Sequence, residues 1–168
     1  MTTTPDELFA FLRELKINTE TVEHPPVYTV DQARQHREGL RGGFSKNLFL
    51  RNKKGKMWLV VAEEEAPIDL KGLGLGLGAG RFSFASPARL ERYLGVTPGA
   101  VTPFGLINDT EQVVSVVIDR RLEALDPLNF HPLDNARTTA ISPGDLLRFI
   151  AATGHSCELV DLTRFAPA

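Results

Sequence analysis

The chain has 168 residues, enough for one ordinary domain that buries roughly 70% of its unfolded surface. Hydrophobic residues make up 42% and charged residues 24%, which excludes a disordered chain, a coiled coil and a collagen-like repeat. The net charge of −2 hides an asymmetry: residues 34–56 hold eight basic groups and one acid, Glu38, so that stretch carries +7 and the remainder −9. Such a stretch suits contact with a limited part of a polyanion, or it is a solvated hairpin and helix face. No run of eighteen apolar residues exists to span a membrane. The first fifteen residues lack the basic start and apolar run of a secretory signal. One cysteine, Cys157, fits a reducing, cytoplasmic setting.

In chain order, Thr4, Pro5 and Glu7 form a helix start with a capping box, followed by Leu8, Phe11, Leu12 and Leu15 at helical spacing. A short strand over residues 19–23 leads into His24-Pro25-Pro26, a rigid extended connector. A second helix is expected from Thr29, with Gln32 completing its box. Residues 45–51 and 57–62 read as a hairpin joined by a turn bearing Gly55. A glycine-weakened helix follows Asp69, and residues 81–84 read as a strand. Ser86-Pro87 starts a helix that Gly95 stops. Residues 96–105 carry two prolines and two glycines and form a built loop. Residues 113–118 are a β-branched strand, 130–135 a turn and 137–141 another strand. Ser142-Pro143 starts a helix that ends near Gly154, and residues 157–160 form a last strand. The helices are too short for a doubly wound parallel sheet. The fold class is therefore α+β: one domain over residues 1–168, with a mixed, mostly antiparallel sheet and helices packed around it.

Several chemistries find little support. Gly74, Gly76 and Ala79 satisfy a permissive G-x-G-x-x-A form. However, they follow an acidic, proline-broken segment rather than a buried strand, so a dinucleotide loop is not expected. The four histidines are far apart, and no H-x-x-x-H or C-x-x-C spacing offers a metal site. No G-x-S-x-G elbow appears, and Cys157 reads as a structural thiol with His155 two residues away. No cofactor is expected.

Two features stand out. Alternation puts Lys46, Leu48 and Leu50 on one face of a strand and Ser45, Asn47 and Phe49 on the other. A lysine among leucines either snorkels at a sheet edge or supplies a fixed cation to a polar pocket. The second feature is the loop over residues 95–109, with Gly95, Pro98, Gly99, Thr102, Pro103, Phe104 and Gly105. It is either a stiff connector or a rigid set of amides for a phosphate, carboxylate or oxyanion.

Six ordered blocks carry a family resemblance along nearly the whole chain. They are Glu23-His24-Pro25-Pro26-Val27-Tyr28-Thr29-Val30, Ser45-Lys46-Asn47-Leu48-Phe49-Leu50, Asp69-Leu70-Lys71, Arg81-Phe82-Ser83-Phe84-Ala85-Ser86, the 95–109 loop, and Phe130-His131-Pro132-Leu133-Asp134-Asn135. Together they resemble the YbaK-like family, free-standing relatives of the editing domain of bacterial prolyl-tRNA synthetase. The branch most similar is the one called ProXp-ala or PrdX.

The resemblance implies hydrolysis in trans of mischarged tRNA, with alanyl-tRNA(Pro) as substrate. It makes Lys46 the catalytic residue. It makes Asn47, His131, Tyr28, Val30, Gly95, Pro98, Gly99, Thr102, Phe104 and Gly105 substrate-binding. The basic residues Arg51, Lys53, Lys54 and Lys56 are expected to meet acceptor-stem phosphates. The implied partners are the tRNA(Pro) acceptor end with its ester, and prolyl-tRNA synthetase as an open second partner; neither a membrane nor DNA is expected. An ester is already activated, so a terminal ribose hydroxyl can help activate water without a protein nucleophile. The glycine-rich run at 72–80 departs from the family pattern and points to a mobile pocket wall. The rivals are deacylation of cysteinyl-tRNA(Pro) or seryl-tRNA, a non-catalytic tRNA- or synthetase-binding module, and a DNA-binding regulator.

Overall fold

The structure is a computed structural model that describes residues 2–26, 31 and 40–165. The helix expected from Thr29, with Tyr28 and Val30, lies outside the described residues.

Local signals set the helices. Helix α1 (Pro5–Glu14) starts at Thr4, whose Oγ1 accepts from Glu7 N while Glu7 reaches back to Thr4 N, closing the capping box. Strand β1 (Glu20–Glu23) follows. The hairpin consists of β2 (Gly43–Arg51) and β3 (Met57–Glu63). Asn52 Oδ1 accepts from Lys54 N and Lys56 N to hold its turn. Helix α2 (Leu70–Gly76) is capped by Asp69, and β4 (Ser83–Phe84) is two residues long. Helix α3 (Pro87–Leu94) runs from the Ser86 cap to Gly95, which takes a left-handed φ of 68°.

Within the expected built loop lie two 3₁₀ turns, Pro98–Ala100 and Pro103–Asn108, each starting at a proline. Strand β5 (Val114–Asp119) leads through a 3₁₀ turn, Arg120–Ala124, to β6 (Leu128–Phe130), a strand that sequence reading missed. Then come β7 (Arg137–Ile141), α4 (Pro143–Ala152) capped by Ser142, β8 (Cys157–Val160) and a last 3₁₀ turn, Leu162–Phe165.

The strands form one mixed sheet in the order β1-β7-β6-β2-β3-β5-β8, with β4 also on β2. Among the described residues four pairings are antiparallel and three parallel (β2–β6, β3–β5, β5–β8), so the antiparallel majority is slim. Strand β3 is central and buried on both faces, which explains its unbroken apolar run from Met57 to Ala62. One face packs Phe49, Leu59 and Val61 against α1, α3 and α4. The other packs Leu50, Trp58, Val60 and Ala62 against Leu73 of α2 and Leu162.

The glycines of α2 have a packing role. A Cβ on Gly74 would stand 2.0 Å from the Gly80 carbonyl oxygen, and one on Gly76 would stand 2.2 Å from the Phe165 ring. Of the run at 72–80, the part up to Gly76 lies in α2, where Gly74 and Gly76 admit close neighbours, whereas a Cβ on Gly78 or Gly80 would meet open space.

Candidate functional site

Strand β2 carries the site because its second edge is interrupted. Gly43 and Phe44 pair with β6, and Leu50 and Arg51 pair with β4. Between them, residues 45–49 pair with no strand on that edge among the described residues. Phe49 O accepts from Ala85 N at 2.9 Å, and Phe44 O accepts from Glu64 N on the opposite edge. Backbone groups alternate along an antiparallel strand, so those of Ser45 and Asn47 also face the gap.

The entry of β2 is pinned to β6. Asn129 is 7% exposed, and its Nδ2 donates to Arg41 O (2.9 Å) and Gly43 O (3.1 Å). Gly42, at φ 97°, has the Pro127 carbonyl oxygen 2.0 Å from where a Cβ would stand. Sequence reading passed over Asn129; the signal was a lone amide between Leu128 and Phe130. The parallel pairing of β2 with β6 ends at Phe44 and Asn129, and His131 follows just past the end of β6, where the gap opens. His131 Nδ1 donates to Arg137 O at 2.9 Å, and its ring meets His24 edge-on at 6.1 Å.

Lys46 and Asn47 leave opposite faces of β2. The Lys46 ammonium donates to the carbonyl of Ala66, held in the turn after β3 by Ala66 N to Glu63 O. Asn47 Nδ2 donates to Val101 O at 3.1 Å, and Ser45 Oγ donates to Asn47 Oδ1 at 3.1 Å. Lys46 thus shares its face with Leu48 and Leu50, and Asn47 touches the proline-glycine loop. Lysine and loop converge only around the open edge.

The loop divides into an exposed outer turn and a buried inner one. Pro98 and Gly99 are exposed, whereas Thr102 and Phe104 are 0% exposed and Gly105 is buried. Phe104 packs edge-on against Phe130 at 6.0 Å and Phe149 at 5.3 Å, so its side chain belongs to the core. Its amide donates to Thr102 Oγ1, and Gly105 N donates to Thr102 O. Gly95 N is taken by Leu90 O and Glu91 O, and a Cβ on Gly105 would crowd the Leu94 carbonyl at 2.8 Å. Gly95, Thr102, Phe104 and Gly105, expected to bind substrate, thus have internal partners in the fold. Their amides or side chains are committed to the fold, and glycine is required at 95 and 105 for close approach.

The hairpin tip lies at the other end of β2, about 17 Å from Lys46 by strand rise. Lys53, Lys54 and Lys56 are exposed there. Lys56 Nζ sits 5.2 Å from the Trp58 ring centroid. Arg51 is half-buried, with its Nε buried and lacking a hydrogen-bond partner.

Comparison with known proteins addresses the family and the fold. The family model for the aminoacyl-tRNA editing domain matches residues 24–149. The chain is 41% identical over 156 residues to the prolyl-tRNA editing protein ProX of Acetoanaerobium sticklandii, covering 92% of this chain and 95% of that protein. It is 42% identical over 153 residues to the prolyl-tRNA synthetase associated domain-containing protein 1 of Mus musculus, covering 89% and 90%. A crystal structure described as a candidate trans-editing enzyme for prolyl-tRNA synthetase superposes with a TM-score of 0.69 at 20% identity, covering 95% of this chain and 98% of that one.

Proposed function

Because the chain belongs to the aminoacyl-tRNA editing domain family, we propose that it is an aminoacyl-tRNA deacylase that corrects errors of prolyl-tRNA synthetase, with alanyl-tRNA(Pro) as its preferred substrate. The observation that carries the reading is the interrupted edge of β2, with Lys46 on one face, Asn47 on the other and His131 just past the end of the neighbouring β6. The likeness to ProX along nearly the full chain supports the editing of prolyl-tRNA synthetase products. Alanine is the substrate that discrimination energetics favours. A synthetase site rejects a smaller side chain by only about 1–3 kcal/mol per methylene, so a second sieve is needed.

In this reading the aminoacyl ester lies across residues 45–49. Lys46 gives up the Ala66 carbonyl and stabilises the negative charge that develops on the ester carbonyl oxygen. Asn47 and the exposed turn at Pro98 and Gly99 orient the aminoacyl group from the other face, and His131 borders it. Water attacks the carbonyl carbon, and the bond from that carbon to the ribose oxygen breaks. The neighbouring ribose hydroxyl relays the proton from water to the leaving oxygen. Amino acid and intact tRNA are the products. The exposed lysines of the hairpin tip contact acceptor-stem phosphates while the ester is at Lys46.

The test compares hydrolysis of alanyl-tRNA(Pro), cysteinyl-tRNA(Pro), seryl-tRNA and prolyl-tRNA(Pro). Rapid loss of alanine alone is expected. Cleavage of a different ester would move the pocket assignment within the family, and binding of tRNA without any cleavage would make the chain a binding module.

A further inference from the structure

We propose that Phe84 is a stacking platform for one base of the unpaired 3′ end of tRNA, an inference that rests on the deacylase reading and deepens it. Phe84 is 62% exposed and is the only aromatic among the large exposed hydrophobics of the described residues. Its placement is specific. Phe84 pairs with Leu50 across β4 and β2, and directly opposed residues project from the same sheet face. That is the face from which Lys46 emerges.

From the register, Phe84 stands four residues along and one strand over from Lys46, about 14 Å between backbones. A few unpaired nucleotides span that distance. The platform is also rigid. Ala85 N donates to Phe49 O at 2.9 Å, and Ser86 caps α3 immediately after.

The surroundings favour a polyanion over an apolar protein partner. Across the same face, Leu50 pairs with Trp58, on which Lys56 Nζ sits at 5.2 Å. Residues 51–62 contain four basic groups and no acid. Lys71 and Arg81 line the recess beside Phe82. An exposed aromatic between a cationic hairpin and a reactive centre is the arrangement that holds single-stranded nucleic acid. The charges track the backbone, and the ring stacks a base without reading its identity.

The test is a binding cycle with uncharged tRNA(Pro), so it does not depend on hydrolysis. Wild type, Phe84→Ala and Phe84→Trp are titrated with intact tRNA and with tRNAs made abasic at each unpaired 3′ nucleotide in turn. Phe84→Ala is expected to weaken binding about tenfold, and Phe84→Trp to restore it. One abasic position is expected to weaken wild type by a similar factor and to weaken Phe84→Ala no further. Undiminished tRNA affinity in Phe84→Ala overturns the proposal, as do additive penalties at every abasic position. If alanyl-tRNA(Pro) and the other esters are not cleaved, the deacylase reading fails while this cycle still decides the stacking role. Loss of affinity for a protein partner, with tRNA binding intact, would assign Phe84 to a protein interface instead.

Discussion

His155 Nε2 stands 2.8 Å from Asp109 Oδ2, with both side chains 1% exposed. The carboxylate also accepts from Val113 N and Val114 N, so it joins the end of the second 3₁₀ turn to the start of β5. Thr153 Oγ1 donates to Ile150 O at 2.7 Å and therefore accepts from His155 Nδ1. The 109–114 turn and the end of α4, 46 residues apart at this contact, close on this pair.

Removing either partner strands the other in the interior. Asp109→Ala is expected to cost about 3–5 kcal/mol of stability. With His155→Ala the double variant should lose clearly less than the sum of the single losses, by at least about 1 kcal/mol. Urea unfolding midpoints check this. Strict additivity would mean that the two residues act independently.

Lys46→Ala should lower the deacylation rate by about 100-fold or more, the usual effect of losing one preorganised charge-stabilising donor. Lys46 is half-exposed and bonded to a single carbonyl, so the thermal midpoint should barely move. Asn47→Ala should act differently, because it releases Val101 and loosens the loop. Steady-state kinetics on alanyl-tRNA(Pro) beside a melting curve separates the two. A Lys46→Ala enzyme at full rate would remove Lys46 from the chemistry.

Charge reversal of Lys53, Lys54 and Lys56 should weaken tRNA binding and flatten its salt dependence. Each lost phosphate contact removes about 0.7–0.9 from the slope of log K against log salt. Hydrolysis of a short aminoacyl-adenosine ester should be unaffected, since the tip lies about 17 Å from Lys46. An unchanged salt slope would leave these lysines as a solvated turn.

Burial pushes the Cys157 thiol above its ordinary value of 9.0. At neutral pH it is therefore protonated and a poor nucleophile. Alkylation by iodoacetamide should be slower in the folded protein than in urea. The unfolded thiol ionises first as pH rises, so the folded state binds the extra proton and stability falls above about pH 9. A folded thiol that reacts as fast as the unfolded one would contradict the shift.

Much of the fold is local and could be read directly. The Thr4–Glu7 box, the Ser86 and Ser142 caps and the left-handed Gly95 each satisfy orphan backbone groups using residues within a turn. The hairpin and the alternation of Lys46 against Asn47 follow from the same short-range geometry. The family blocks were also legible, because residues 24–149 keep their order along the chain.

Tertiary structure alone decided the rest. Strand β6 is three residues long and exists because Asn129 and the Pro127 carbonyl hold Gly43 beside it. Phe104, set among loop glycines and prolines, looked available to a ligand until Phe130 and Phe149 closed over it. The glycines at 74 and 76 answer to Gly80 and Phe165 rather than to their own helix. Residue types and short spacings determine caps, turns and strand faces, because those interactions act within a few residues. The partner of a buried carboxylate, the gap in a strand's edge and the side of the sheet a loop reaches depend on contacts across dozens of residues. Such contacts exist only once the chain has folded.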